Sequence, residues 1–202
     1  MSQIDYYLTV TSPYVYFAGQ EPAEIAARHG ARLVYRPVDP AALFARTGGT
    51  PLAERHESRK EYRLQDLRRQ AAKRGLKMNV KPRHFPTNPA PGGYAIIAAQ
   101  KAAEAGQGGD LHALVVALSR ACWEEERDVA DDTVIRDCLT SAGFDPGLAM
   151  SGLLSGADAY ARNLEAAMQA GVFGFPFFVV GDERFWGADR LEDLDRHLAG
   201  AA

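Results

Sequence analysis

Strand-forming segments sit at the two ends of this chain, with a long helical stretch between them. Ile4 to Thr9 is short and rich in Ile, Tyr and Thr, and "ARLVYRPV" (31–38) is a second run of this kind. The chain returns to strand character only at Phe177–Val180 and Arg184–Trp186, on either side of a "GDE" turn. Neither end alone can bury its strands, because an isolated strand pair is marginal in water. One sheet must therefore draw strands from both ends and carry the intervening residues as an insertion.

Helix signals fill in the rest. In "TSPY", Ser12 stands at an N-cap position and Pro13 at the first helical position, where proline is welcome. The helix continues through "VYFAGQEPAEIAARHG", with Gly30 as its stop and Pro22 expected to kink or split it. The first forty residues thus read β-α-β, a crossover that makes parallel strands. Residues 64–75 form an amphipathic helix, and a Pro/Asn/Gly-rich connection, "KMNVKPRHFPTNPAPGG", follows it. Helices are expected over 94–105, 110–126, 131–142, 146–155 and 158–170, with Asp110, Asp131 and Asp145 as N-caps, and a last one from Asp189 to Leu198. The pattern is α/β: a thioredoxin-like fold whose β-α-β and α-β-β-α halves are interrupted by an all-helical insertion. Residues 1–40 and 157–202 make the thioredoxin-like domain, and 41–156 the helical insertion domain.

Composition removes several classes of function. A net charge of −3 offers no basic field for nucleic acid. No apolar run approaches the ~18 residues of a membrane span, and "MSQIDYYLTV" is no signal peptide. Cys122 and Cys138 are too few and too far apart for a zinc site, so no metal is expected; both read as reduced core thiols of a cytoplasmic protein.

In this architecture the loop before the first helix faces the loop before the third strand, bringing Ser12 and Pro13 close to Phe175–Pro176. Proline cannot donate to a β-ladder, so Pro176 belongs at a strand's first position. A cis bond there would leave the Phe175 backbone free to pair with an extended ligand. A helix N-terminus favours an anion, and disulfide oxidoreductases place Cys-x-x-Cys at it to lower a thiol's pKa. Here those positions are Ser12 and Val15, which excludes intrinsic dithiol chemistry. A serine hydroxyl suits hydrogen bonding to a thiolate brought by another molecule, and glutathione is the obvious supplier. The bland alternative is that Ser12 merely caps its helix, at about 1 kcal/mol.

Four stretches, in order over almost the whole chain, carry a resemblance: "TSPYVYFA", "KEYRLQDLRRQAAKRGL", "HFPTN" and "GVFGFPFFVVGDERFWGADRLEDL". They resemble the 2-hydroxychromene-2-carboxylate isomerase family, which is related to the kappa-class glutathione transferases and more distantly to the DsbA oxidoreductases. The resemblance implies a homodimer with glutathione as cofactor. It implies a cis-trans isomerase interconverting 2-hydroxychromene-2-carboxylate and trans-o-hydroxybenzylidenepyruvate in aromatic hydrocarbon breakdown. By the same resemblance, Ser12 hydrogen-bonds the glutathione sulfur, Phe175 and Pro176 hold the cysteinyl part, and Ala188 and Asp189 receive the γ-glutamyl end. One departure is Gly49, where related transferases often carry asparagine. Two other readings stay open: a kappa-type transferase that consumes glutathione by conjugation, and a thioredoxin-like module that holds peptides along the Pro176 edge.

Candidate substrate contacts are Arg59 (or its neighbour Lys60), Arg83, His84 and Asn88, the last three from the long connection that also contains Phe85. Each has a plainer reading, as solvated charge or as loop anchor. Trp186 suits packing of the last turn or an aromatic wall, and Tyr62 with Asp66 (i, i+4) suits a bridge from insertion to core.

Overall fold

The computed structural model describes residues 2–200, and in it both ends of the chain meet in one sheet. Strand β1 (Gln3–Leu8) pairs in parallel with β2 (Arg32–Pro37) on one side. On the other it pairs antiparallel with β3 (Phe177–Val180), which pairs antiparallel with β4 (Glu183–Trp186), giving the order β2-β1-β3-β4. Residues of both parities in β1 are buried, Ile4, Tyr6, Tyr7 and Leu8 among them, so both faces of the strand are covered. Tyr6 lies opposite Phe178, and their rings stack at 4.7 Å. This is the expected thioredoxin-like arrangement.

The first helical stretch is two helices, α1 (Pro13–Ala18) and α2 (Glu21–Arg28). The break falls at Gly19, whose φ of 53° is open to glycine, and Pro22 is tolerated in the first turn of α2. Helix α3 (Pro40–Thr47) has no counterpart among the helices expected from the sequence. Its start was nevertheless written in "DP": Asp39 accepts from the Ala41 and Ala42 N–H groups, and Pro40 opens the helix. Then follow α4 (Glu57–Lys73), which begins well before Leu64, and α5 (Ala90–Glu104), α6 (Leu111–Trp123), α7 (Asp132–Ser141), α8 (Leu148–Ser151), α9 (Leu153–Gln169) and α10 (Leu191–Leu198). Asp110 and Asp131 cap α6 and α7 as expected, accepting from Ala113 N–H at 3.0 Å and Thr133 N–H at 2.7 Å. Asp145 makes the same kind of turn two residues early, accepting from Gly147 N–H at 2.8 Å, while Gly147 itself stands at the cap position of α8.

The expected boundary between residues 156 and 157 falls inside α9, which runs across it. A single apolar cluster runs from Ile4 and Phe178 in the sheet to Leu118, Trp123 and Leu139 in the insertion. His112 of α6 ties the two parts together. Its Nε2–H donates to the Gly19 carbonyl at 2.7 Å, and its Nδ1 accepts from the Tyr35 hydroxyl at 2.9 Å. A carbonyl can only accept, so Nε2 carries a proton, and burial, which lowers the ring's pKa, favours the neutral form with Nδ1 as acceptor.

Candidate active site

Ser12 stands on the short turn between β1 and α1, held by its N–H to the Thr9 carbonyl at 3.0 Å. Its backbone has the extended conformation of an N-cap, yet its side chain makes no cap bond. The hydroxyl instead donates across the fold to the Phe175 carbonyl at 3.3 Å. That is long for an O–H···O bond, so the hydroxyl is weakly held and open to a better acceptor. Helix α1 has only six residues, and the Val15 and Tyr16 N–H groups already reach the Ser12 carbonyl, both at 3.2 Å. Proline supplies no N–H, so polarity at this turn comes mainly from the Ser12 hydroxyl rather than from a long helix. Val15 is buried, and no thiol stands at either position.

The opposite wall is the Phe175–Pro176 segment, whose peptide bond is cis. The Pro176 carbonyl accepts from Gly187 N–H at 3.0 Å, which sets the turn holding Ala188 and Asp189 beside it. Among the described residues, the N–H groups of Phe175, Ala188 and Asp189 meet no protein acceptor. The final helix begins at Leu191, so Ala188 and Asp189 occupy the turn before it rather than its first turn. Asp189 is exposed, and its carboxylate lies against Arg190 at 3.1 Å.

Gly49 explains itself through a neighbour. A Cβ there would lie 2.6 Å from the Phe44 ring, so Phe44 occupies the space a side chain at 49 would need. Phe44 in turn faces Phe175, with centroids 6.4 Å apart. Trp186 is half exposed and forms an edge-on pair with Phe173 at 4.8 Å, covering Gly174.

The substrate candidates scatter. Arg59 is exposed. Arg83 is exposed and its N–H donates to Glu126 at 3.1 Å; His84 is exposed beside that same acidic loop. Asn88 is spent on the Ala90 N–H at 3.1 Å, where α5 begins. Among the described residues none of the four is joined to Ser12 or Phe175 by a hydrogen bond or ion pair. Tyr62 points to solvent under Arg69, so it does not bridge insertion and core. That bridge is built by Tyr16, whose hydroxyl donates to the Lys77 carbonyl at 2.6 Å and whose pKa burial pushes up to about 12, and by Arg74 over the Phe17 ring.

Two further residues bear on this region, Tyr14, which follows Ser12 in the chain, and Arg63 of α4. Tyr14, two positions on, is part-buried with its ring edge-on to Phe17, and burial raises its pKa. Arg63 of α4 lies over the rings of Phe85 and Trp123, and burial lowers its pKa. A signal existed: Arg63 falls one turn before Leu67 and two before Ala71, the buried stripe of α4.

Comparison with known proteins agrees with this geometry. The family of DsbA-like thioredoxin domains matches residues 3–199. A 2-hydroxychromene-2-carboxylate isomerase of Sphingobium xenophagum is 31% identical over 199 residues, covering 96% of this chain and 97% of that protein. One from Pseudomonas putida is 30% identical, covering 95% and 92%. A solved 2-hydroxychromene-2-carboxylate isomerase structure superposes with a TM-score of 0.78 at 25% identity, covering 98% of this chain and 95% of that one.

Proposed function

We propose a glutathione-dependent cis-trans isomerase, because the chain belongs to the DsbA-like thioredoxin family and, within it, to the 2-hydroxychromene-2-carboxylate isomerases. The substrate in this reading is 2-hydroxychromene-2-carboxylate and the product trans-o-hydroxybenzylidenepyruvate, with glutathione returned unchanged. The observation that carries the reading is the Ser12 hydroxyl turned away from its own helix and onto Phe175, in a chain with no cysteine at 12 or 15. A site built this way needs a thiol from outside.

The residues present fit glutathione. The Phe175 N–H, unpaired beside Pro176, suits an extended peptide's carbonyl, and the weakly held Ser12 hydroxyl suits its sulfur. The open N–H groups of Ala188 and Asp189 suit a carboxylate, and the Asp189 side chain suits an ammonium. When bound, glutathione would supply a reversible nucleophile, whose addition turns the substrate's double bond into one that rotates. Ser12 keeps that sulfur anionic by donating to it. Phe175 fixes its position through the backbone, and Phe44 and Phe175 give the site an apolar side. A homodimer and a small aromatic acid substrate belong to the same proposal.

Titration calorimetry tests the cofactor, and chromatography after turnover tests the chemistry. Glutathione is expected to bind the wild type, and to be recovered intact after full conversion of substrate. Loss of glutathione in step with substrate would make the protein a conjugating transferase instead.

A further inference from the structure

We propose that Arg63, together with the Tyr14 hydroxyl, recognises the carboxylate of a flat aromatic acid; the choice of acid rests on the isomerase reading above, the position of the charge on the structure. Arg63 occupies a place in the buried stripe of α4 where Leu67 and Ala71 continue it. Its guanidinium lies 5.7 Å from the Phe85 centroid and 5.8 Å from that of Trp123, a platform that holds a cation without neutralising it. Among the described residues it has neither a carboxylate partner nor a hydrogen-bond acceptor. Arg36, similarly sheltered between strands, shows the usual solution: its Nε donates to Asp5 at 2.7 Å. A sheltered cation with no counter-ion is costly, and an incoming anion relieves that cost.

Tyr14 supplies the second donor. It stands beside Ser12 in sequence, and its hydroxyl has no partner among the described residues. Burial keeps it protonated, hence a donor. The charges felt at Tyr14 are Arg63, Arg55 and Asp66. Arg55 is bonded through Nε to the Thr50 carbonyl at 2.9 Å, and Asp66 accepts from Gln70 at 3.4 Å. With Arg55 and Asp66 each engaged, Arg63 is the cation beside Tyr14 without a partner among the described residues, and one free cation suits a monoanionic carboxylate. Guanidinium and hydroxyl are both donors, and a carboxylate oxygen accepts from either.

The test separates this proposal from the isomerase reading by measuring binding without turnover. Chromone-2-carboxylate and chromone-2-carboxamide, flat and unreactive, are titrated calorimetrically in the presence of glutathione. The wild type should prefer the carboxylate by about tenfold or more, the usual worth of a hydrogen bond to a charged group. Arg63→Gln should abolish the preference and Arg63→Lys keep part of it. Tyr14→Phe should cut it about threefold, within the range of a single hydrogen bond. Thermal melts check that each variant folds, and Arg63→Lys serves if Arg63→Gln does not. Equal binding of acid and amide by the wild type, or a preference surviving in Arg63→Gln, overturns the proposal. An Arg63-dependent preference in a protein that does not isomerise 2-hydroxychromene-2-carboxylate supports the recognition site and overturns the isomerase reading.

Discussion

Ser12, proposed to act on the glutathione sulfur, should contribute little to stability. It has the position of a cap but not the bond, so replacing it removes one long hydrogen bond and little else. Ser12→Ala is therefore expected to cost less than about 1 kcal/mol in urea unfolding, whereas Asp131→Ala, which breaks a 2.7 Å cap, should cost about 1 kcal/mol or more and leave turnover unchanged. Sequence alone could not separate the two, because serine before "PY" reads as a cap whether or not it caps. The cysteines give a second residue-scale expectation. Burial pushes the Cys122 thiol up to about 12 and the Cys138 thiol up to about 11. The native protein should thus leave a thiol reagent at pH 8 unreacted and the unfolded chain should consume two equivalents. Rapid labelling of native protein would contradict the buried placement.

Elements meet through a few close contacts, and two of them make predictions. In α5, a Cβ on Gly93 would lie 2.7 Å from the Tyr160 ring of α9 and 3.2 Å from Pro37 of β2. Alanine would gain about 1 kcal/mol of helix propensity, but overpacking against a buried ring and a strand costs about 1–3 kcal/mol. Gly93→Ala should therefore destabilise on balance, by up to about 2 kcal/mol, read as a lower urea midpoint. His112 on α6 grips Gly19 and Tyr35 as a neutral ring, and burial lowers its pKa below the usual 6.5. The unfolded chain then takes up the proton first, so this contribution is complete above about pH 6.5 and is lost as pH falls below it, by at most about 1.4 kcal/mol per pH unit. The urea midpoint should drop between pH 7.5 and 5.5, and His112→Gln should flatten that drop. An equal drop in both proteins would remove His112 as its source. Such long-range partners leave no local trace, unlike the β-α-β start, the Asp caps and the Gly30 stop, which local chemistry fixes. Helix α3 lies outside the sequence expectations despite its local "DP" signal, and α10 starts later than expected because the turn holding Asp189 looks like a helix start.

At the scale of the molecule, the sheet closes only when β3 and β4 return to β1, and one apolar cluster then spans sheet and insertion. The two halves should unfold together. Trp123 lies at the end of α6 in the insertion and Trp186 at the end of β4, so each reports on one half. Denaturation of Trp123→Phe and of Trp186→Phe, each followed by its remaining indole and by far-ultraviolet circular dichroism, should give coincident probe midpoints within each variant. Divergent midpoints would show two separately stable bodies. The same closure makes the site, because Ser12 and Phe175 are far apart in the chain and meet only across the sheet. Their juxtaposition was legible from topology. The cation at Arg63 was not, because its neighbours Phe85, Trp123 and Tyr14 come from three other segments. One absorbance measurement tests the proposed isomerase most directly: conversion of 2-hydroxychromene-2-carboxylate by wild type and Ser12→Ala, with and without glutathione. Conversion is expected only with glutathione, falling about a hundredfold or more in the variant, the scale of losing one hydrogen bond to a reacting anion. Equal rates without glutathione, or an undiminished rate in Ser12→Ala, would contradict the proposal.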